Sequence, residues 1–334
     1  ISLRQDPCTQ GVDVSRAVVP LREFSTMHGC TAPKGVSGSE VRVCFADVEG
    51  QGDRDVTYDA RLASAILPLT KCVIFNWRDS LQVDRILNLL GVMQRAAHNV
   101  DLGESLVTTS RCDDGSSSVN PKFGHLHVVF RDWNYSGTAE EVKKQLFALD
   151  KRGMGVEVAM KNELRRTITA AFASVTVWLF PAPVEMTSEL SKELNSEDLS
   201  VEFMLQLAGL RSALSSQLAE PMGFGLANPI TGHSLGSLVP AMVDVLNSGD
   251  IIMPESAYQQ MLDKEAERMK KTYLEKADAL IETGMRACDN GPPVPPADME
   301  VDMEEAMQQE LLVGFECEAK EIGAKDEAVV EGRR

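Results

Sequence analysis

Four short apolar runs, separated by segments with helical spacing, constrain the fold of this chain most strongly. The runs are 41–46, Lys71–Trp77, His125–Phe130 and Val175–Phe180. Between them the apolar residues recur at the spacing typical of helices, at about 55–67, 81–97, 138–150 and 157–172. Strands that alternate with helices predict a mostly parallel sheet covered by helices. The expected fold class is therefore α/β, with a doubly wound, mostly parallel sheet.

The remainder of the chain predicts helices only. We expect them at about 200–218, 233–247 and 255–283, with the last one ending at Gly284. A stiff Pro-rich linker at 291–296 precedes a very acidic helix with one stripe of Met, Leu and Phe. The predicted organisation is a main α/β domain, a helical segment, and a linker with an acidic helical tail, at 1–228, 229–290 and 291–334.

Charge and cysteine content limit the partners and the compartment. The 334 residues carry a net charge of −17. Nucleic-acid binding needs clustered Lys and Arg, so we expect no nucleic-acid partner. The seven Cys are scattered, and Cys44 and Cys72 lie in apolar runs, which favours reduced, buried thiols in a cytosolic protein. The uncharged run Thr167–Val184 holds hydroxyl residues and two prolines, which favours a helix end and a strand over a membrane span.

Three predicted strand ends carry polar residues. Asp47 follows the first strand, Arg78 and Asp79 follow the second, and Arg131 and Asp132 follow the third. Ligands of a doubly wound sheet bind at the carboxyl ends of its strands. We therefore expect these side chains to converge on one cleft.

The segment Arg131-Asp132-Trp133 suits recognition of a guanine base. A carboxylate can accept hydrogen bonds from both N1–H and the 2-amino group of guanine, a donor pair that adenine lacks. Arg131 or Trp133 could pack on the face of the purine. Taken alone, however, such a triplet is more often a salt-bridged surface loop.

Taken together, these segments resemble the guanylate-binding protein and atlastin-like branch of the dynamin-superfamily large GTPases. The resemblance covers about residues 24 to 283. Asp47–Gly50 resembles the third G motif, and FNW at 75–77 resembles the strand that follows it. Phe130–Trp133 resembles the Arg-Asp base-specificity motif, and WLFPAPV at 178–184 resembles the strand and loop at the guanine cap. LVPAMVDVLNSGD at 238–250 resembles the passage from the G domain into the helical middle domain. The family implies a GTPase domain of the P-loop NTPase type, followed by a helical middle domain.

The resemblance also implies roles for individual residues. Asp47 would hold Mg²⁺ through water, and Gly50 would sense the γ-phosphate of GTP. Asp132 would read guanine with Arg131 beside it. Thr26 would be the catalytic threonine of the first switch that closes on Mg²⁺, with Thr31 as a rival in register. The family further implies a homodimer through the G domain, membrane or protein partners for the helical part, and a cytoplasmic protein that can lie on endomembranes.

One element of that family is absent. The loop G-x-x-x-x-G-K-[S/T], which binds phosphate and Mg²⁺, does not occur in this sequence. Its family position would fall near or before Ile1, and the missing Met favours a truncated chain. We therefore expect poor GTP binding and no turnover from this chain. The alternative is a non-catalytic interaction protein that keeps the fold.

Two other patterns suggest chemistry and are less convincing. Gly232-His-Ser234-Leu-Gly matches the nucleophile elbow of esterases, but no His follows Ser234, and a helix start explains the residues better. His125 and His127 share one face of a strand and could ligate a metal. No dense set of ligands surrounds them, so a packed pair is favoured.

Overall fold

The chain forms two compact units. The computed structural model describes residues 11–26, 41–48, 56–78, 80–100, 123–151, 153, 155–184, 195–219, 230–290 and 311–321. The first unit comprises Ile1–Leu102, Val107–Met222 and Asp250–Ile252. The second comprises Gly103–Leu106, Gly223–Gly249 and Met253–Arg334.

The described part of the first unit is α/β. Its strands are β1 (Val12–Val14), β2 (Val19–Pro20), β3 (Arg42–Val43), β4 (Ala46–Val48), β5 (Cys72–Trp77), β6 (Phe123–Phe130) and β7 (Phe172–Leu179). Its helices are α1 (Leu21–Thr26), α2 (Val56–Ile66), α3 (Val83–His98), α4 (Ala139–Phe147), α5 (Val156–Ala171) and α6 (Val201–Leu218). The predicted helices 55–67, 81–97, 138–150, 157–172 and 200–218 are therefore confirmed within a few residues.

Strands β5, β6 and β7 form a parallel sheet in that order. Phe75 lies opposite Val128, and Val128 lies opposite Val177. Leu126 and Val128 are buried on one face of β6, and His127 and Val129 are buried on the other. A central strand covered on both faces reads as a continuous apolar run, which explains why the sequence predicted it.

Helix α6 covers one face of this sheet together with α1. Val129 and Phe180 share a hydrophobic cluster with Leu210 and Leu214 of α6 and with Phe24 of α1. The amphipathic helix α3 packs against α2 and α5, and both α4 and α5 contact β7. These contacts establish an α/β layer arrangement around three described parallel strands.

The predicted buried strand 41–46 is wrong. The segment instead forms β3 and β4, which pair antiparallel with β2 and β1. Of residues 41–48, Val43 is buried, whereas Phe45 is 46% exposed. Cys44 is exposed as well, so the prediction that its thiol is buried is wrong. The physical reason is the pairing partner: residues 12–20, which precede the first strand that the sequence predicts, run antiparallel to this segment and leave much of it facing solvent. Asp13 lies directly opposite Asp47 in this ladder.

The second unit is helical where it is described. Its helices are α7 (Gly232–Ser248), α8 (Pro254–Asn290) and α9 (Val313–Glu321). Helix α9 packs on α8 through Phe315 and Ala319, which contact Leu262 and Met269. Helix α8 continues past Gly284, so the predicted end of that helix is wrong; glycine weakens a helix without being required to end it. Among the described helices, none is long and apolar enough to cross a membrane.

Candidate functional site

The carboxyl ends of β5 and β6 bring Arg78 and Asp132 together. Arg78 Nε lies 3.4 Å from Asp132 Oδ2, and the two side chains are 75% and 45% exposed. The Arg131 N–H donates to the Trp77 carbonyl at 2.7 Å, which extends the ladder one residue beyond β6. Adjacent parallel strands therefore present an exposed cation and a half-exposed carboxylate at the same edge, as the sequence predicts for this pair.

The backbone at Asp132 has an unusual conformation. Its φ is +55°, and it is the only non-glycine residue with positive φ in the described parts of the chain. Asp is one of the few residues that tolerate this left-handed region. Immediately afterwards the Trp133 N–H donates to the Phe180 carbonyl at 2.8 Å. The chain thus turns sharply at Asp132 and returns to the end of β7, which leaves the carboxylate at the tip of the turn.

The structure pairs Asp132 with Arg78 rather than with Arg131. The family resemblance gives Arg131 the role beside the base, whereas its side chain is exposed and Arg78 holds the carboxylate. An exposed ion pair of this kind contributes at most about 1 kcal/mol to stability. Its effect is mainly to orient the carboxylate. The same pair is also what a salt-bridged surface loop would show.

Asp47 lies in a different sheet from the strand that precedes Asp132. It is exposed in β4, a strand of the two-stranded antiparallel ladder, and does not follow a strand of the parallel sheet. The expectation that Asp47 sits at the tip of a parallel strand is therefore wrong. The cause is the antiparallel pairing of 41–48 described above.

The remaining residues implied by the resemblance are only partly described. Thr26 is the last residue of α1, is exposed, and its hydroxyl donates to the Arg22 carbonyl at 3.0 Å, a common way to satisfy a Thr in a helix. Gly50, Thr31 and Asp79 lie outside the described residues.

A cavity of about 340 Å³ opens beside the turn at Asp132. Its walls come from the β6–α4 connection, the end of β7 and the first turns of α6, and include Trp133, Tyr135, Leu179, Pro181, Glu202 and Gln206. The Trp133 indole N–H is buried and has no hydrogen-bond partner among the described residues. The sequence suggests a role for Trp133 only in purine packing and gives no sign of a cavity, because α6 supplies one wall from far along the chain.

His127 belongs to a buried polar network that the sequence did not predict. The Trp178 indole N–H donates to His127 Nδ1 at 2.9 Å, and His127 Nε2–H donates to the Gln217 side-chain oxygen at 2.8 Å. Cys72 Sγ lies 3.4 Å from the same oxygen. Burial lowers the pKa of His127 below its usual 6.5 and raises the pKa of the Cys72 thiol to about 11. Both groups are therefore neutral near pH 7.

The two less convincing patterns of the sequence have structural roles. Ser234 is fully buried, and its hydroxyl donates to the Thr231 carbonyl at 3.0 Å. Its backbone N–H in turn donates to the Thr231 hydroxyl, which caps α7. His125 contacts the Ser174 hydroxyl at 2.8 Å. No group of three or more His, Cys, Asp and Glu that could hold a metal occurs among the described residues.

No protein-family model matches the chain, and a search of curated proteins returned no similar sequence.

Proposed function

We propose that this chain recognises the guanine base of a guanine nucleotide at the carboxyl edge of its parallel sheet. The observation that carries the proposal is Asp132, a carboxylate held at the tip of a strained turn, 45% exposed and oriented by Arg78. A backbone outside its favoured region is a reason to suspect a functional constraint. The carboxylate has acceptor capacity left for the N1–H and 2-amino donors of guanine.

Within this proposal the protein is a guanylate-binding-protein-like large GTPase. GTP and Mg²⁺ are its cofactors, and nucleotide binding is coupled to homodimer formation. Thr26 and Asp47 would serve Mg²⁺, and Gly50 the γ-phosphate, in the roles that the resemblance implies. This part of the proposal depends on the sequence motifs alone.

A second candidate, a non-catalytic interaction protein, is favoured by the position of Asp47. This residue lies opposite Asp13 in an antiparallel ladder, whereas Asp132 follows a strand of the parallel sheet. Phosphoryl transfer needs metal and base sites fixed around one nucleotide. For this second candidate we therefore expect no measurable GTP turnover.

Exchange of one side-chain atom at Asp132 tests the base site. Asp132→Asn replaces a carboxylate oxygen by an NH₂ donor, which suits the 2-carbonyl of xanthine and not the 2-amino group of guanine. We expect the wild type to prefer GTP over ATP and XTP in saturation-transfer NMR at millimolar nucleotide, and the variant to prefer XTP. The matched control is Asp244→Asn, which removes the same charge from an exposed position of α7.

Three outcomes decide the proposal. Preference for GTP that survives Asp132→Asn overturns the assignment of Asp132. Equal signals for GTP, ATP and XTP in the wild type overturn base recognition altogether. Loss of preference in the Asp244→Asn control would show a general effect of charge and would also overturn the assignment.

A further inference from the structure

We propose that the cavity beside Trp133 binds an organic cation, either an alkylammonium or a guanidinium group. The cavity has a volume of about 340 Å³, within the range of small-molecule sites. Its chemistry combines aromatic rings, a carboxylate and short apolar side chains. The inference uses neither a nucleotide nor the role proposed for Asp132.

Two aromatic rings form adjacent walls of the cavity. The centroids of Trp133 and Tyr135 are 5.1 Å apart, and their planes meet at 69°. Tyr135 is 53% exposed, so its ring is accessible to a ligand. The two rings make an edge-to-face contact, in which the edge of one ring lies against the face of the other. The ring surface of Tyr135 that stays exposed at the cavity is electron-rich and attracts a cation.

The aromatic walls are held in place from behind. Trp133 makes an edge contact with Phe130, with centroids 5.4 Å apart, and Phe130 is fully buried in the sheet. The Trp133 backbone N–H is bonded to the Phe180 carbonyl. The ring of Trp133 is therefore fixed before any ligand arrives, which reduces the entropy cost of binding.

A carboxylate completes the site from the opposite element. Glu202 lines the cavity from the first turn of α6, and Gln206 follows it one turn later. The start of α6 is fixed because the Ser200 side chain caps the helix and the Phe203 ring packs against Phe180. The acidic wall thus has a defined position relative to the aromatic walls.

The charges around the cavity favour a positively charged ligand. No Lys, Arg or His is present among the described residues that line the cavity. The whole chain carries a net charge of −17, which raises the local concentration of cations. A phosphate or carboxylate would face Glu202 without a counter-charge. The cavity is therefore unsuited to the phosphates of a nucleotide.

Indole NMR of the intact chain with matched probes tests the proposal. The probes are choline, its uncharged isostere 3,3-dimethyl-1-butanol, and N-acetyl-arginine amide. The chain has three Trp residues, so its indole N–H spectrum is simple, and Trp133→Phe assigns the Trp133 resonance. We expect at least one cation to shift that resonance in a saturable manner, while the uncharged isostere does not. Stronger binding of choline indicates a free metabolite, and stronger binding of the arginine derivative indicates a side chain of a partner protein.

Paired variants separate cation recognition from general packing. Tyr135→Leu removes one aromatic face and is expected to weaken binding about twofold to fivefold, whereas Tyr135→Phe retains the ring and the affinity. Glu202→Gln is expected to weaken binding to a similar degree, and Glu140→Gln, an exposed acid outside the cavity wall, is the control. All three positions are exposed, so the variants should fold.

The proposal is overturned by either of two results. The first is equal binding of choline and its uncharged isostere, which would define a merely apolar cavity. The second is the absence of any saturable shift of Trp133 with both cations. Neither result depends on GTP, so a failure here is distinguishable from a failure of the proposed base site.

Discussion

The hydrogen bond between His127 and Gln217 offers the sharpest test of how the first unit is held together. We consider Gln217→Met, which conserves length and removes the acceptor of the His127 Nε2–H donor. His127 has 0% exposure, so water cannot replace the lost partner without a rearrangement. An orphaned buried donor costs about 1–3 kcal/mol. The Cys72 contact adds little, because a thiol is a weak donor.

This cost translates into a measurable change in Tm. In a unit of this size, 1 kcal/mol corresponds to a change in Tm of about 2–4 °C. A central value of about 2 kcal/mol therefore predicts a fall of about 4–8 °C. Trp77, Trp133 and Trp178 all belong to the first unit, so tryptophan fluorescence follows its unfolding specifically.

The control is the same substitution at an exposed position. Gln145 lies on the exposed side of α4, and Gln145→Met is expected to change Tm by less than about 1 °C in either direction. If Gln217→Met also unfolds within 1 °C of the wild type, the network does not stabilise the fold and the reasoning is refuted.

Three further predictions follow from described contacts. Burial lowers the pKa of His127 below its usual value of 6.5, so at pH values just below 6.5 the unfolded state binds more protons than the folded state. The free energy of unfolding, measured by urea titration, should therefore fall as pH is lowered from 6.5, and a urea midpoint that does not change with pH in that range would contradict this. Thr231→Ala removes the N-cap of α7 and should lower the stability of the second unit by about 1 kcal/mol, measured by circular-dichroism melts. An unchanged melting temperature of the second unit would refute this. Gly124→Ala places a Cβ against the Lys71 carbonyl oxygen, so it should lower stability by about 1–3 kcal/mol in fluorescence melts. Gly91→Ala makes only an ordinary contact with the Leu164 side chain and should not lower it, and equal effects of the two substitutions would contradict this.

The parallel sheet and most helices could be predicted because their signals are local. Strands β5, β6 and β7 are apolar runs of six to eight residues. Helices α3, α4 and α5 have clear amphipathic spacing. The segment 41–48 has an apolar run too, but its burial depends on which strands lie beside it. Its partner at 12–20 contains only short strands and a proline, so the sequence offered little sign of the antiparallel pairing.

The candidate site could be predicted only in part, because it also depends on how distant segments of the chain pack together. Arg78 and Asp132 follow recognisable strands, so their proximity could be expected from the rule for parallel sheets. The left-handed backbone at Asp132 has no signature in an Arg-Asp-Trp triplet. The polar network and the cavity each require residues of α6, Gln217 and Glu202, whose positions depend on how that helix packs.

The ladder that places Asp13 opposite Asp47 has a consequence for local opening. A two-stranded ribbon is marginal by itself, and like charges directly across it weaken it further. The amides of β1 and β4 should therefore exchange with deuterium well before those of β6, through fluctuations far smaller than global unfolding. Salt that screens the two carboxylates should slow this exchange, so ionic strength sets how often the ribbon separates.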